Sequence, residues 1–108
     1  MAGDKKPLVI DLPLGGSEYF RILDENRAEK MRSGLVTLKP GEEVGAHDTE
    51  DYEELIVVLE GSGEVEADSA ERKKLGRGQA AYNPPHTRHN VLNTGAEPMR
   101  YIYIVSKA

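Results

Sequence analysis

The sequence contains no cysteine in its 108 residues, so no disulfide can cross-link the chain. Its stability must come from packing or from association with another chain. The sequence also has no long stretch of Pro, Gly or Ser that could serve as a linker, and we predict one domain over residues 1–108. Folding at this length removes roughly two-thirds of the chain's surface from water, which is enough for one modest core.

Long apolar segments and a hydrophobic leader are missing as well. The longest apolar run, residues 55–59, is far shorter than the roughly 18 residues that indicate a membrane span. The N-terminal stretch MAGDKKPLVIDLP has no hydrophobic segment typical of a signal peptide. We therefore predict a soluble, cytoplasmic protein that does not bind membranes.

Clustered positive charge is scarce. The chain has 14 basic and 19 acidic residues, a net charge of -5, and its basic residues are scattered except at 72–74. Nucleic-acid binding requires a concentrated cationic surface that faces the phosphates. The composition therefore argues against a nucleic-acid partner.

Glycine and proline are abundant and divide the chain into short segments. There are 11 glycines and 6 prolines between stretches rich in Val, Ile, Leu, Thr or Tyr, a pattern typical of an all-β barrel or sandwich. Residues 1–33 are predicted to hold N-terminal strands and a turn, and residues 25–31 are the only segment that could form a helical turn. The predicted strands are residues 8–11, 19–23, 34–38, 44–49, 54–60, 63–68, 79–83, 89–93 and 100–105.

The stretch GAHDTEDYEELIVVLEG, residues 45–61, places five acidic side chains and His47 directly before an apolar run. Successive side chains of a strand point to opposite faces, so Glu54 shares a face with Ile56 and Val58. If this face is the interior, one imidazole and one carboxylate meet there among aliphatic side chains.

The opposite face of the same strand is apolar too. It carries Leu55, Val57 and Leu59, and such a face needs a cover from a second sheet or another subunit. This argument predicts a homodimer.

The three histidines, at positions 47, 86 and 89, belong to two clusters. A histidine and a carboxylate from one hairpin, with a histidine from another, can form a facial triad that leaves coordination positions open.

The first cluster resembles motif 1 of the cupins, G-x5-H-x-H-x(3,4)-E-x6-G. Residues 41–61 match it at Gly41, His47, Glu54 and Gly61, with Thr49 at the place of the second histidine.

The second cluster resembles cupin motif 2, G-x5-P-x-G-x2-H-x3-N. Residues 78–93 match it at Gly78, Pro84, His89 and Asn93, with His86 in place of the glycine.

The resemblance to the cupins implies a single double-stranded β-helix, or jelly-roll, barrel of two antiparallel sheets, often dimeric. It also implies a divalent transition metal, Fe, Mn, Zn or Ni, bound near the barrel mouth. Carried over by position, the ligands are His47, Glu54 and His89. Thr49 takes the place of the fourth ligand, and the vacancy would hold water or admit a chelating substrate.

His86 departs from the family glycine, which suggests an unusual backbone conformation. Histidine is among the non-glycine residues found at positive φ. We interpret its ring as a catalytic group at the pocket rim. The alternatives are a fourth metal ligand and a solvent-exposed loop histidine.

Tyrosine and isoleucine alternate over residues 101–104, so one pair faces inward, but periodicity does not say which. Tyr82 and Asn83 present the same ambiguity. Asn93 is expected to be structural, because asparagine at a strand end commonly bonds its own turn. The predicted substrate contacts are Thr49, Asn83, Tyr101 and Tyr103.

Two functional hypotheses follow from the site. The first is an enzyme that acts on a small oxygenated metabolite, such as a sugar derivative or a carboxylic or phenolic compound. It would use isomerase-type or oxygenase-type chemistry, with the metal as a Lewis acid and His86 moving a proton. The second is a small-molecule binding or sensing module, with or without metal, and a metal-free scaffold ranks last. A fold shared by many chemistries does not choose among them.

Overall fold

The computed structural model describes residues 5–68 and 71–108 and folds them into two antiparallel sheets, as the all-β prediction requires. The strands are β1 (Phe20–Leu23), β2 (Met31–Leu38), β3 (His47–Asp48), β4 (Tyr52–Glu60), β5 (Ser62–Ala67), β6 (Lys73–Gly76), β7 (Ala80–Asn83), β8 (Arg88–Leu92) and β9 (Met99–Lys107). One sheet has the order β1-β2-β9-β4-β7, and the other has the order β3-β8-β5-β6. Within the described ranges, no helix is long and apolar enough to cross a membrane.

The structure differs from the predicted strands in three places, and one of them is the segment 44–49, where only His47–Asp48 is a strand. Residues 8–11 are not a strand, although their composition favours one, because strand propensity yields to tertiary context. The strand Lys73–Gly76 was not predicted, since its charged and glycine residues have little strand propensity; it forms by pairing with β5. Residues 25–31 contain a single turn, in which the Ala28 amide donates to the Asp24 carbonyl four positions earlier, and this agrees with the helical turn considered for this segment.

The core lies between the inner faces of the two sheets. Along β4 the buried residues are Glu54, Ile56 and Val58, and this alternation confirms the predicted inward face. Each fully buried aliphatic side chain stabilises the fold by roughly 1.5–3 kcal/mol relative to exposure. The buried core comprises Leu38, Ile56, Val58, Leu75, Val91, Met99 and Tyr101.

The register of β9 decides which of its side chains face inward. Tyr101 and Tyr103 pair with Val58 and Ile56 of β4, so both tyrosines lie on the core side. The isoleucines of β9 therefore share the outer face with Leu55, which is 40% exposed. At one end of this face Arg100 Nη2 donates to the Gly16 carbonyl at 2.6 Å, so the segment before β1 crosses the sheet there.

Two motif residues hold the turns that connect the sheets. Gly61 has a φ of 76°, and a Cβ at this position would collide with the Pro98 carbonyl oxygen. Asn93 is 2% exposed; its Nδ2 donates to the carbonyls of Leu38 and Glu97, both at 2.9 Å. The structural role predicted for Asn93 is confirmed.

Candidate metal centre

His47, Glu54 and His89 meet across the two sheets. His47 and His89 are directly paired residues of β3 and β8, while Glu54 projects from β4 in the opposite sheet. One potential ligand atom from each side chain lies within 4.8 Å of the other two. The structure thus brings together the three residues that the sequence proposed as ligands.

The Nε2 atom of His89 is buried, and no described residue forms a hydrogen bond with it. It lies 2.7 Å from Glu54 Oε1, and His89 is 3% exposed. Despite that distance, this nitrogen has no hydrogen-bond partner in the described part of the chain. A buried polar atom left unpaired costs free energy. A metal ion between the imidazole and the carboxylate would satisfy both atoms, so the residues present fit a metal.

The other ring nitrogen of each histidine faces a backbone carbonyl. His47 Nδ1 lies 2.9 Å from the Gly45 oxygen, and His89 Nδ1 lies 3.1 Å from the Thr87 oxygen. A ring nitrogen beside a carbonyl carries the proton, which leaves the Nε2 lone pair available as a ligand. The two rings lie edge to face with centroids 4.3 Å apart. Both histidines are therefore oriented as ligands by the backbone.

Opposing effects act on the pKa of His89. Burial lowers it, but the Glu54 carboxylate and the Thr87 carbonyl outweigh burial and raise the pKa above its ordinary value.

Two cavities meet at these three residues. The larger has a volume of about 460 Å³ and extends into the barrel, where aliphatic side chains and Tyr101 and Tyr103 line it. The smaller, about 220 Å³, also contacts all three residues and is lined by polar side chains, including Arg32 and Thr49. The three side chains are thus accessible from an apolar cavity on one side and from a polar cavity on the other.

Residues 34–105 match the model of the cupin domain family, which is two-thirds of the chain. This chain belongs to the cupin family. No curated protein sequence matches it significantly.

Several solved structures with the same fold align with most of the chain of this cupin. An RmlC-like cupin with a double-stranded β-helix fold from Methanocaldococcus jannaschii shares 12% identity, with 95% of this chain and 91% of that chain covered and a TM-score of 0.78. A cupin 2 conserved barrel domain protein from Salinispora arenicola shares 21% identity, with 96% and 92% covered and a TM-score of 0.77. These likenesses establish the double-stranded β-helix fold.

The Cnp3 cupin domain of Schizosaccharomyces pombe is similar as well. It shares 16% identity, with 83% of this chain covered and a TM-score of 0.75. This chain spans 60% of the length of that protein chain.

Asn83 supports the carboxylate of this cupin. It is the cross-strand partner of Glu54, and its Nδ2 donates to Glu54 Oε1 at 3.1 Å. Both side chains are 7% exposed. The sequence predicted a substrate contact, but the structure places the amide against Glu54 and outside the lining of the two cavities at the triad.

Thr49, at the place of the second motif histidine, is engaged with the loop between β7 and β8. Its Oγ1 donates to the Pro84 carbonyl at 2.7 Å and accepts from the Thr87 amide at 3.0 Å. Thr49 is 6% exposed and borders the smaller cavity. Its hydroxyl therefore braces the loop that leads to His89.

His86 has the unusual backbone that the family glycine suggested, with a φ of 56°. Its amide donates to the Glu50 carbonyl at 2.8 Å, and its side chain is exposed. The structure does not place His86 among the residues that line either cavity at the triad. Its catalytic role stays a prediction from the sequence.

Sequence reasoning missed Tyr19 and Arg32. Tyr19 lines the larger cavity, and its hydroxyl lies 2.6 Å from that of Tyr103. Both residues belong to the N-terminal third of the chain, where the motifs give no signal. Only the pairing of β1 with β2 and of β2 with β9 places them at the cavities.

Proposed function

We propose that this cupin binds a divalent transition metal through His47, Glu54 and His89 and acts on a small oxygenated metabolite in the larger cavity. One observation carries the proposal: three ligand atoms converge within 4.8 Å around a buried ring nitrogen that has no hydrogen-bond partner among the described residues. Two imidazoles and one carboxylate suit Fe, Mn, Zn or Ni. When bound, such a metal supplies Lewis acidity to an oxygen of the ligand, for chemistry of the isomerase or oxygenase type.

The chain's own residues would orient the ligand set and the substrate. Asn83 holds the Glu54 carboxylate, and backbone carbonyls hold the two imidazoles. Burial raises the pKa of Tyr101, with a further contribution from Glu54, so its phenol stays neutral in the cavity wall. Neutral hydroxyls in an apolar wall can orient a substrate oxygen while the aliphatic residues exclude water.

A non-catalytic binding or sensing module is the second candidate, and one observation favours it. Apart from the triad, the larger cavity is lined by aliphatic side chains and tyrosines, and His86 lies outside it. An enzyme needs a positioned acid or base near the reacting atoms. Chemical analysis of a ligand after incubation with the metal-loaded protein separates the two candidates, because only an enzyme converts it.

We also infer a homodimer in which the outer face of β4, β7 and β9 is covered by a second copy. Leu55 is 40% exposed and Tyr82 is 57% exposed on this face. Contiguous apolar surface of this kind commonly marks an interface. A single domain over residues 1–108, a cytoplasmic location and the lack of a nucleic-acid partner stay predictions from the sequence.

The metal proposal is tested by Glu54→Gln, with Glu53→Gln as the matched control. Glu53 neighbours Glu54 on β4 but points to the other face, where it accepts a hydrogen bond from Tyr82 at 2.9 Å. We expect Glu54→Gln to weaken metal binding by more than about tenfold, since even second-shell changes reach that size. Glu53→Gln should bind metal like the unchanged protein. Affinity is measured by titration calorimetry with Zn, Mn, Ni and, without oxygen, Fe(II).

Elemental analysis of protein purified without added metal completes this test. A site that stays empty after incubation with all four metals would contradict the metal proposal. Equal losses in both variants would point to a general effect of removing charge and would contradict the assignment of Glu54.

A further inference from the structure

Two arginines lie on the same face of neighbouring strands: Arg32 lines the smaller cavity, and Arg21 is exposed and lines neither cavity. Arg21 of β1 pairs with Gly34 of β2, and Gly34 pairs with Tyr103 of β9, which faces the cavity. Directly paired residues share a face, and so do residues two apart in one strand. Arg21 and Arg32 therefore lie on the same face, diagonally across β1 and β2.

A pair of phenol hydroxyls lies beside these arginines. Tyr19 and Tyr103 stack with ring centroids 6.4 Å apart, and their hydroxyl oxygens are 2.6 Å apart. Gly34 leaves room for the pair, because a Cβ there would lie 2.5 Å from the Tyr19 hydroxyl oxygen and 2.7 Å from the Tyr103 ring. The Tyr19 side chain, and to a lesser degree Tyr103 and Asp24, raises the pKa of Arg21.

Arg32 retains hydrogen-bond donors for which no acceptor is found within residues 5–68 and 71–108. It is half-buried and lines the smaller cavity together with the triad. Its Nη1 donates to the Met31 carbonyl at 2.7 Å, one of the five N–H donors that a guanidinium carries. Among the described residues, neither Arg21 nor Arg32 has a carboxylate within 4.0 Å, whereas Arg72 and Arg100 both form salt bridges.

The two arginines are positive side chains in a protein that is mostly acidic, and this affects where a negatively charged ligand can bind. The chain carries a net charge of -5, and Asp48 and Glu50 line the smaller cavity on the side of the other sheet. Asp48 Oδ1 accepts the Glu50 amide at 2.6 Å. A ligand with a negative group is therefore disfavoured near β3 and favoured near β1 and β2, where the arginines lie.

We propose that Arg21 and Arg32, with the hydroxyls of Tyr19 and Tyr103, bind the carboxylate of an organic acid whose apolar part occupies the larger cavity. The guanidinium fork matches a carboxylate, which accepts parallel hydrogen bonds from it, and the phenols add neutral donors. Val36, Ile56 and Val91 line the cavity that receives the apolar part. This inference rests on the proposed function only in taking the larger cavity as the ligand site.

Benzoate and benzamide test the inference, because they have nearly the same size and shape and differ in charge. Binding of each is measured by titration calorimetry to the metal-free protein. We expect benzoate to bind more tightly than benzamide and Arg32→Gln to weaken benzoate binding by about tenfold, as for the loss of one charge-assisted pair. Benzamide binding should not change. Arg21→Gln should act in the same direction.

Arg72→Gln is the control, since Arg72 is an exposed arginine that pairs with Glu64 and Glu66 on the other sheet. It should leave the affinity for benzoate unchanged. Arg32→Lys keeps the charge but not the fork, and we expect an affinity between those of the unchanged protein and Arg32→Gln. A thermal unfolding midpoint for each variant shows that it folds.

The outcomes separate this inference from the metal proposal. Benzoate that binds only to metal-loaded protein and ignores both arginine substitutions would overturn the inference, because the carboxylate would then bind the metal. Equal affinities for the two probes, or binding of neither, would overturn it too. Arginine-dependent benzoate binding by protein that takes up no metal would support the inference while the metal proposal fails.

Discussion

Burial shifts the pKa values of two tyrosines that line the larger cavity. Tyr101 is 3% exposed, and burial, followed by the charge of Glu54, raises the pKa of its phenol above the ordinary value of 10.0. Burial also raises the pKa of Tyr103, and its hydrogen bond with Tyr19 adds to the shift. Charge is costly in an apolar wall, so the native state holds both phenols neutral.

These shifts predict that the protein loses stability in alkaline solution. Above the ordinary tyrosine pKa the unfolded chain releases protons that the native state keeps, so the native state binds more protons and the free energy of unfolding falls with rising pH. This contribution to stability is therefore fully present below the tyrosine pKa of the unfolded chain. It is lost as the pH rises towards the raised pKa of the native state. Each such tyrosine contributes a slope of about 1.4 kcal/mol per pH unit in this range.

Urea unfolding at a series of alkaline pH values measures this slope. Tyr101→Phe should remove about one tyrosine's share of it, because phenylalanine cannot ionise in either state. An unchanged slope in Tyr101→Phe would show that Tyr101 ionises alike in both states, contrary to its burial.

At the scale of elements, turns between the strands set the alignment of the sheets. Gly61 lies between β4 and β5 with a φ of 76°, and Gly78 precedes β7 with a φ of 83°. The two glycines differ in their surroundings. A Cβ on Gly61 would collide with the Pro98 carbonyl, whereas a Cβ on Gly78 would have no neighbour within 4 Å.

This difference predicts unequal costs for two alanine substitutions. Gly78→Ala introduces backbone strain alone and should lower the free energy of unfolding by about 1–2 kcal/mol. Gly61→Ala adds a collision with backbone and should cost at least about 1 kcal/mol more. Urea unfolding at neutral pH compares them. Equal losses of unfolding free energy would contradict this prediction. They would mean that the backbone near Pro98 moves aside at little cost and that glycine is required at position 61 for its φ alone.

At the scale of the whole molecule, the outer face of the five-stranded sheet predicts the oligomeric state. Leu55 and Tyr82 are exposed there, and the second sheet of this chain covers only the inner face. Light scattering after size-exclusion chromatography should give twice the mass of one chain. Leu55→Glu should shift the protein towards monomer, because a charge in an apolar interface is disfavoured.

Ser62→Glu is the control for this prediction, since Ser62 is exposed on β5 in the other sheet. We expect it to keep the mass of the unchanged protein. A monomeric unchanged protein would contradict the dimer, while leaving the fold and the metal centre as they are.

The spacing of motif residues was sufficient to predict the family, the two-sheet fold and the meeting of His47, Glu54 and His89. Strand alternation put Glu54 on the face of Ile56 and Val58, and the structure agrees. The prediction failed where composition misleads, as at residues 8–11, which have the apolar character of a strand but pair with no strand in the described part of the chain.

The sequence by itself determined which residues alternate and which motifs recur, because these are properties of neighbours along the chain. Only the tertiary structure decided that Tyr101 and Tyr103 face inward, that Thr49 braces a loop, and that the side chain of His86 is exposed. Alternation divides the side chains of a strand between two faces, but it does not say which face is the inner one. Pairing with a distant strand decides that. Hydrogen bonds over 35 or more positions, such as that from Thr49 to Pro84, cannot be read from local pattern.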